Sequence, residues 1–173
     1  MPEAAPNDDL TIRPARAEDF DALWPILRGV IRAGDTYTLD PDMPRDAVFD
    51  YWMTAPRATY VAVLKGRVVS TYYIRTNQQG GGAHVCNCGY IVDPAARGLG
   101  IAARMCIHSQ DEARALGYRA MQFNFVVATN AGAIGLWQRL GYETLGRLPR
   151  AFNHPTVGLT DALVMYKWLD TPS

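Results

Sequence analysis

Cys88-Gly-Tyr-Ile-Val-Asp-Pro-Ala-Ala-Arg-Gly-Leu-Gly-Ile-Ala-Ala-Arg104 is the stretch that decides the fold. Tyr90, Ile91 and Val92 are β-prone, and Pro94 ends the strand they form. Arg97-Gly-Leu-Gly-Ile-Ala102 then opens a helical pattern. Gly98 and Gly100 carry no Cβ, so their amides can approach a ligand closely. The first amides of the following helix are unpaired and hold the positive end of its dipole, which suits a phosphate or pyrophosphate. The bland alternative is a plain strand-to-helix connection. A dinucleotide fingerprint would need a third glycine where Ala103 stands and an acidic residue at the end of the next strand. The P-loop pattern, G-x-x-x-x-G-K-[ST], is absent.

Outward from that stretch, 173 residues suit one domain with a sizeable core, here residues 10–173 after a flexible tail, 1–9. The net charge of zero argues against nucleic acid or an anionic membrane as partner. No apolar run reaches the roughly 20 residues that span a bilayer. Met1 to Asp9 is polar and acidic with no apolar signal core, which points to the cytoplasm. The cysteines, Cys86, Cys88 and Cys106, form neither a disulfide framework nor a full metal set and read as core thiols, so no metal is expected.

Leu10 to Arg13 reads as a short strand. Phe20, Leu23, Trp24, Leu27, Val30 and Ile31 recur at helical spacing, and Gly34 closes that helix. Asp35 to Pro44 reads as a loop, and Val48, Phe49, Trp52 and Met53 as a second helix. Thr59–Leu64 and Arg67–Arg75 form a hairpin around Lys65-Gly66, and Gln78 to Gly82 is a flexible loop. The helix after the glycine turn stops at Gly117. Arg119–Ala128 is a strand, Ala131–Leu140 a helix capped by Asn130, and strands begin at Gly141-Tyr142 and Asp161.

Arg97 to Ala102 fits R-x-x-G-x-A and resembles the acetyl-CoA pyrophosphate motif of the GCN5-related N-acetyltransferase (GNAT) family. Asn130-Ala-Gly-Ala-Ile-Gly-Leu-Trp-Gln-Arg-Leu-Gly-Tyr142 is similar to that family's N-x-x-A-x-x-L-Y-x-x-x-G-F segment. With the β-α-α-β-β-β-α-β-α-β-β order, the resemblance covers about Leu10 to Leu169. It implies an α/β fold with a mixed, mostly antiparallel sheet splayed at the acetyl-CoA site and flanked by helices. It also implies acetyl transfer from acetyl-CoA to an amine.

The resemblance places Tyr90, Ile91 and Val92 along the pantetheine and Arg97, Gly98, Leu99, Gly100, Ile101 and Ala102 at the pyrophosphate, with Arg97 or Arg104 adding charge. Asn130, Ala133 and Trp137 complete the cofactor set. The tyrosine that protonates the departing thiolate in relatives is Trp137 here, and an indole has no acidic proton to give. Cys86-Asn87-Cys88 stands where many relatives carry a basic glutamate. Positioning alone can supply ~7–11 kcal/mol of the barrier, so direct attack needs neither group. Asn124 can orient the amine or a water. Its strand face, shared with Val126 and Ala128, could be core, in which case it needs a partner. Asn124, Asn130 and Trp137 are therefore the residues placed at the chemistry.

The acceptor pocket is expected from the first helix, the loop Asp35 to Pro44 and the loop Leu148 to Leu159, with Asp35, Tyr37, Asp40, Arg150, Asn153 and His154. Asp35, Tyr37, Asn124 and His154 are the substrate candidates. That mixed lining suits a small zwitterion. Phe123-Asn-Phe-Val126, Trp137 and Gly146-Arg-Leu-Pro149 look like the branch of amino-acid-analogue and azetidine-2-carboxylate acetyltransferases. A protein acetyltransferase or a non-catalytic acyl-CoA sensor are the alternatives. Leu163, Val164, Met165, Tyr166 and Trp168 suggest a homodimer face.

Overall fold

The computed structural model describes residues 9–170; the tail expected at 1–9 lies almost wholly outside them. One seven-stranded sheet runs in the order β1-β2-β3-β4-β5-β7-β6. The strands are β1 (Leu10–Pro14), β2 (Ala58–Leu64), β3 (Arg67–Thr76), β4 (Val85–Val92), β5 (Ala120–Val127), β6 (Glu143–His154) and β7 (Gly158–Trp168). The helices are α1 (Phe20–Ala33), α2 (Arg45–Phe49), α3 (Ile101–Ala115) and α4 (Ala131–Arg139). This is the mixed, mostly antiparallel sheet the sequence implied.

Every strand pair is antiparallel except β4 and β5, which run parallel and pair only at Val85↔Ala120 and Cys86↔Met121. Beyond Cys86 the two strands part, and β4 keeps its β3 ladder as far as Val92. The break leaves a backbone edge open in the middle of the sheet.

Each sheet face has its own core. Under α3 and α4 lie Tyr72, Met105, Met121, Trp137 and Tyr142; under α1 and α2 lie Leu23, Leu27, Trp52, Val61, Tyr73 and Ile91. Strand alternation divides them: on β4, Cys86 and Cys88 face the first core and Ile91 the second. The three cysteines are buried and unpaired, as read from the sequence.

After α2 the chain makes one π-helical turn, Asp50–Thr54, with Ala55 N–H reaching Asp50 O at 2.8 Å. The extra residue turns Trp52 fully inward, where its Nε1 donates to Thr71 Oγ1 at 3.0 Å.

Two sequence expectations change. Gly80–Gly82 forms a short 3-10 turn inside the expected flexible loop. The expected loop Leu148 to Leu159 is mostly strand, and only Pro155, Thr156 and Val157 connect β6 to β7. The strand passes Pro149 because β6 is a sheet edge, where a missing donor is tolerated. A register break between Leu148 and Phe152, with Arg150 at φ 52°, absorbs the irregularity. Asn124, which the sequence left open between a core face and the site, is exposed, beside a register slip in β5 between Phe123 and Val126.

Candidate active site

The parting of β4 from β5 creates a cleft of about 1650 Å³ that continues into an inner cavity of about 250 Å³. Tyr37, Tyr90, Asn130, Ala133 and Trp137 line both.

Backbone direction along β4 follows from two contacts. Ile91 O accepts the Ser70 hydroxyl from β3 at 2.9 Å, so Ile91 faces its paired neighbour. Tyr90 O accepts the Tyr37 hydroxyl at 2.9 Å, so it faces the open side. In an antiparallel ladder the N–H and C=O of one residue point the same way. Tyr90 and Val92 therefore present free amides to the gap, and Ile91 does not. The Tyr90 side chain goes the other way, its hydroxyl 2.6 Å from Ser109 Oγ.

Past Pro94–Ala96 the chain reaches the glycine turn. Gly98 (φ 79°) and Gly100 (φ 72°) are left-handed, and a Cβ at either would meet nothing within 4 Å. Backbone conformation, not space, calls for glycine here. Gly100 caps α3. Arg97, Gly98, Gly100, Ile101 and Ala102 line the cleft, while the Leu99 side chain points outward at 48% exposed. Arg104 donates to Leu10 O on β1 at 3.2 Å and is not in the lining of the cleft.

Asn130 caps α4 by accepting from Ala133 N–H at 3.3 Å, and it lines both cavities. Trp137 is 9% exposed, between Tyr90 and Phe123 at 5.1 Å each. Asn124 belongs to an amide chain: Gln122 Nε2 donates to its Oδ1 at 2.9 Å, and its Nδ2 donates to Asn77 Oδ1 at 2.7 Å. Asn87 Nδ2 donates to Gln122 O at 2.9 Å.

Among the described residues, no Asp, Glu, His, Lys or Arg lines the inner cavity. The mixed acid and base pocket expected from sequence is therefore not assembled there. Asp35 and His154 line the outer cleft, whereas Asp40, Arg150 and Asn153 line neither cavity. Asp40 instead accepts from Asp42 N–H at 2.9 Å and shapes its own loop. His154 Nδ1 accepts from the Thr156 and Val157 amides at 3.2 and 3.4 Å, so the ring hydrogen is on Nε2.

The wall that sequence reading missed is aromatic: Tyr51, Tyr73, Phe123 and Phe125, beside Tyr37. Burial pushes the Tyr37 and Tyr73 phenols well above their ordinary pKa, and each gains from neighbouring tyrosines. The Arg75 guanidinium lies 4.0 Å from the Tyr51 ring centre and 4.5 Å from that of Tyr73, and its buried Nε has no hydrogen-bond partner among the described residues. Strand alternation on β3 was the available signal, but it becomes informative only once the register with β4 is known.

Such a site can hold an extended ligand along an open strand edge, anchor its anionic end at a glycine turn, and offer the other end to a small aromatic chamber. The model of the Acetyltransferase (GNAT) family matches residues 23–142. The chain is 30% identical over 132 residues to the N-acetyltransferase aca1 of Schizosaccharomyces pombe, covering 67% of this chain. It spans 63% of the length of that curated relative. A solved GCN5-related N-acetyltransferase from Kribbella flavida superposes with a TM-score of 0.89 at 38% identity, covering 93% of this chain and 98% of that one. The phosphinothricin acetyltransferase (Pat) of Sinorhizobium meliloti in complex with AcCoA gives 0.82 at 20% identity, covering 95% and 94%, a likeness of fold.

Proposed function

The chain belongs to the acetyltransferase (GNAT) family, and from that premise we propose that it transfers the acetyl group of acetyl-CoA to the amine of a small molecule, an amino acid or analogue, by direct attack in a ternary complex. The observation that carries this reading is the parted β4 edge, which runs from the inner chamber to the left-handed glycine turn. Pantetheine pairs with the gap-facing amides of Tyr90 and Val92, and one of these donors can also meet the oxyanion of the tetrahedral intermediate. The pyrophosphate sits over Arg97 to Ala102 at the start of α3. Asn130 holds the arm, and Trp137 walls the thioester. Asn124 and Tyr37, which line the inner cavity, contact the acceptor, and Asp35 and His154 stand along the outer cleft that leads to it.

The inner cavity, about 250 Å³, has room for a small acceptor. The narrower reading, the amino-acid-analogue and azetidine-2-carboxylate branch, is supported by Phe123-Asn-Phe-Val126 and Trp137. Three buried, unpaired cysteines suit a reducing compartment, the cytoplasm.

Acetyl-CoA should raise the melting temperature by mass action. A thiol-release screen over amino acids, polyamines, aminoglycosides and peptides should single out a small amine. Turnover of peptides alone would reverse the acceptor reading, and no turnover with any amine would favour an acyl-CoA sensor.

We also propose a homodimer. Of the expected face, Leu163 and Met165 are buried within the subunit, but Leu145, Leu148, Val157 and Leu159 are exposed on the β6–β7 hairpin. A monomer mass by light scattering at micromolar concentration would refute it.

A further inference from the structure

Gly89 stands on β4 just where the strand has left β5, opposite Tyr73 across the β3 ladder. A Cβ at Gly89 would lie 2.7 Å from Cε1 and Cζ of Tyr73 and 2.8 Å from its hydroxyl oxygen. The phenol therefore occupies the space that a β4 side chain would fill, at the point where the two strands open. It is also part of the inner cavity's lining.

We propose that the Tyr73 hydroxyl positions the acceptor, accepting a hydrogen bond from the incoming amine and turning the nitrogen lone pair toward the thioester carbon. This rests on the acetyltransferase reading above. In the step it assists, the nitrogen forms a bond to the acetyl carbon and the C–S bond breaks. The nitrogen's proton leaves to water, and CoA departs as thiolate. Tyr73 itself gains and loses nothing.

Several other polar groups of the cavity already have protein partners. Tyr37 donates to Tyr90 O, Asn87 Nδ2 to Gln122 O, and both ends of the Asn124 amide are engaged. The Tyr73 ring is held: it is 4% exposed and packs edge-on to Trp52, centroids 4.8 Å apart. Trp52 is in turn tied to Thr71, whose hydroxyl donates to Tyr60 O at 2.9 Å. A group fixed this way is oriented before substrate arrives. Burial, together with Tyr37 and Tyr51, keeps the phenol protonated, with Arg75 opposing weakly. A hydroxyl oxygen has two lone pairs and one hydrogen. An interaction with the adjacent Tyr51 hydroxyl therefore leaves Tyr73 able to accept an N–H. It orients and does not act as a base.

Tyr73→Phe keeps the ring that covers Gly89 and removes only the hydroxyl. With the best amine from the thiol-release screen, kcat/KM for the acceptor should fall about 10- to 100-fold, the worth of one hydrogen bond to a developing charge. Melting temperature, acetyl-CoA affinity and the shape of the pH profile should match the parent. Gly89→Ala, which displaces the phenol but leaves it intact, should show the same acceptor-specific loss. A Tyr73→Phe value within threefold of the parent would overturn the proposal. So would loss of the rising limb of its pH profile, which would make Tyr73 a base. A parent enzyme that releases no thiol with any amine would instead sink the acetyltransferase reading, and this proposal with it.

Discussion

The glycine turn and the tyrosine wall flank the same central strand, β4, but are made in opposite ways. The turn is built from neighbours in sequence: a strand end, Pro94–Ala96, two left-handed glycines and the start of α3. The wall gathers Tyr37 from the loop after α1, Tyr51 from the π-helical turn, Tyr73 from β3 and Phe123 from β5. The first region binds through backbone amides, whose direction is set by local dihedrals. The second works through side chains, whose meeting depends on register. A cofactor common to a family suits the first construction; an acceptor that differs between members suits the second.

The largest effect should come from Gly100→Asp, which tests whether the turn acts through its backbone. A carboxylate there puts negative charge where the pyrophosphate should sit, at the cost of some backbone strain at φ 72°, which Asp tolerates better than most residues. The fold should survive, while acetyl-CoA affinity by calorimetry should drop 100-fold or more. Unchanged affinity would show that the turn is structural and would erase the contrast between the two regions.

A smaller effect is expected from Trp137→Phe, at the boundary of the two. Phenylalanine keeps an aromatic surface against Tyr90 and Phe123 and removes no proton donor that the reaction uses. Its kcat should stay within about tenfold of the parent. In both proteins log kcat should rise as the substrate amine deprotonates, then level off. Burial raises the phenol pKa of Tyr37 and Tyr73, so neither ionises early enough to add an alkaline fall. A loss of a hundredfold or more with cofactor binding intact would give the indole N–H a chemical role.

The smallest effect tests the single bond that joins the regions. Tyr37→Phe deletes the hydroxyl that donates to Tyr90 O. Free-enzyme stability should fall by about 0.5–1.5 kcal/mol, the net worth of one hydrogen bond. Thermal shift should also show that saturating acetyl-CoA restores part of the difference, because the ligand pairs with the same strand edge. If the deficit is as large with ligand as without, the two regions are energetically independent.

The sequence alone determined the order of strands and helices, the glycine turn at 98 and 100, the Asn130 cap and the aromatic at 137. Each is a local property: dihedral preference, periodicity, or a side chain reaching its own helix end. Tertiary structure decided the acceptor side. Whether Asn124 faced core or site was settled by its place beside a register slip in β5, on the lining of the inner cavity, and the loop that should have brought Arg150 and Asn153 to the substrate proved to be an edge strand. Tyr73 gave no signal, because its importance depends on lying opposite a residue with no side chain. Pairing register is fixed by the summed packing of two sheet faces, and a one-residue shift sends every side chain to the other face. No single stretch of the chain contains that sum.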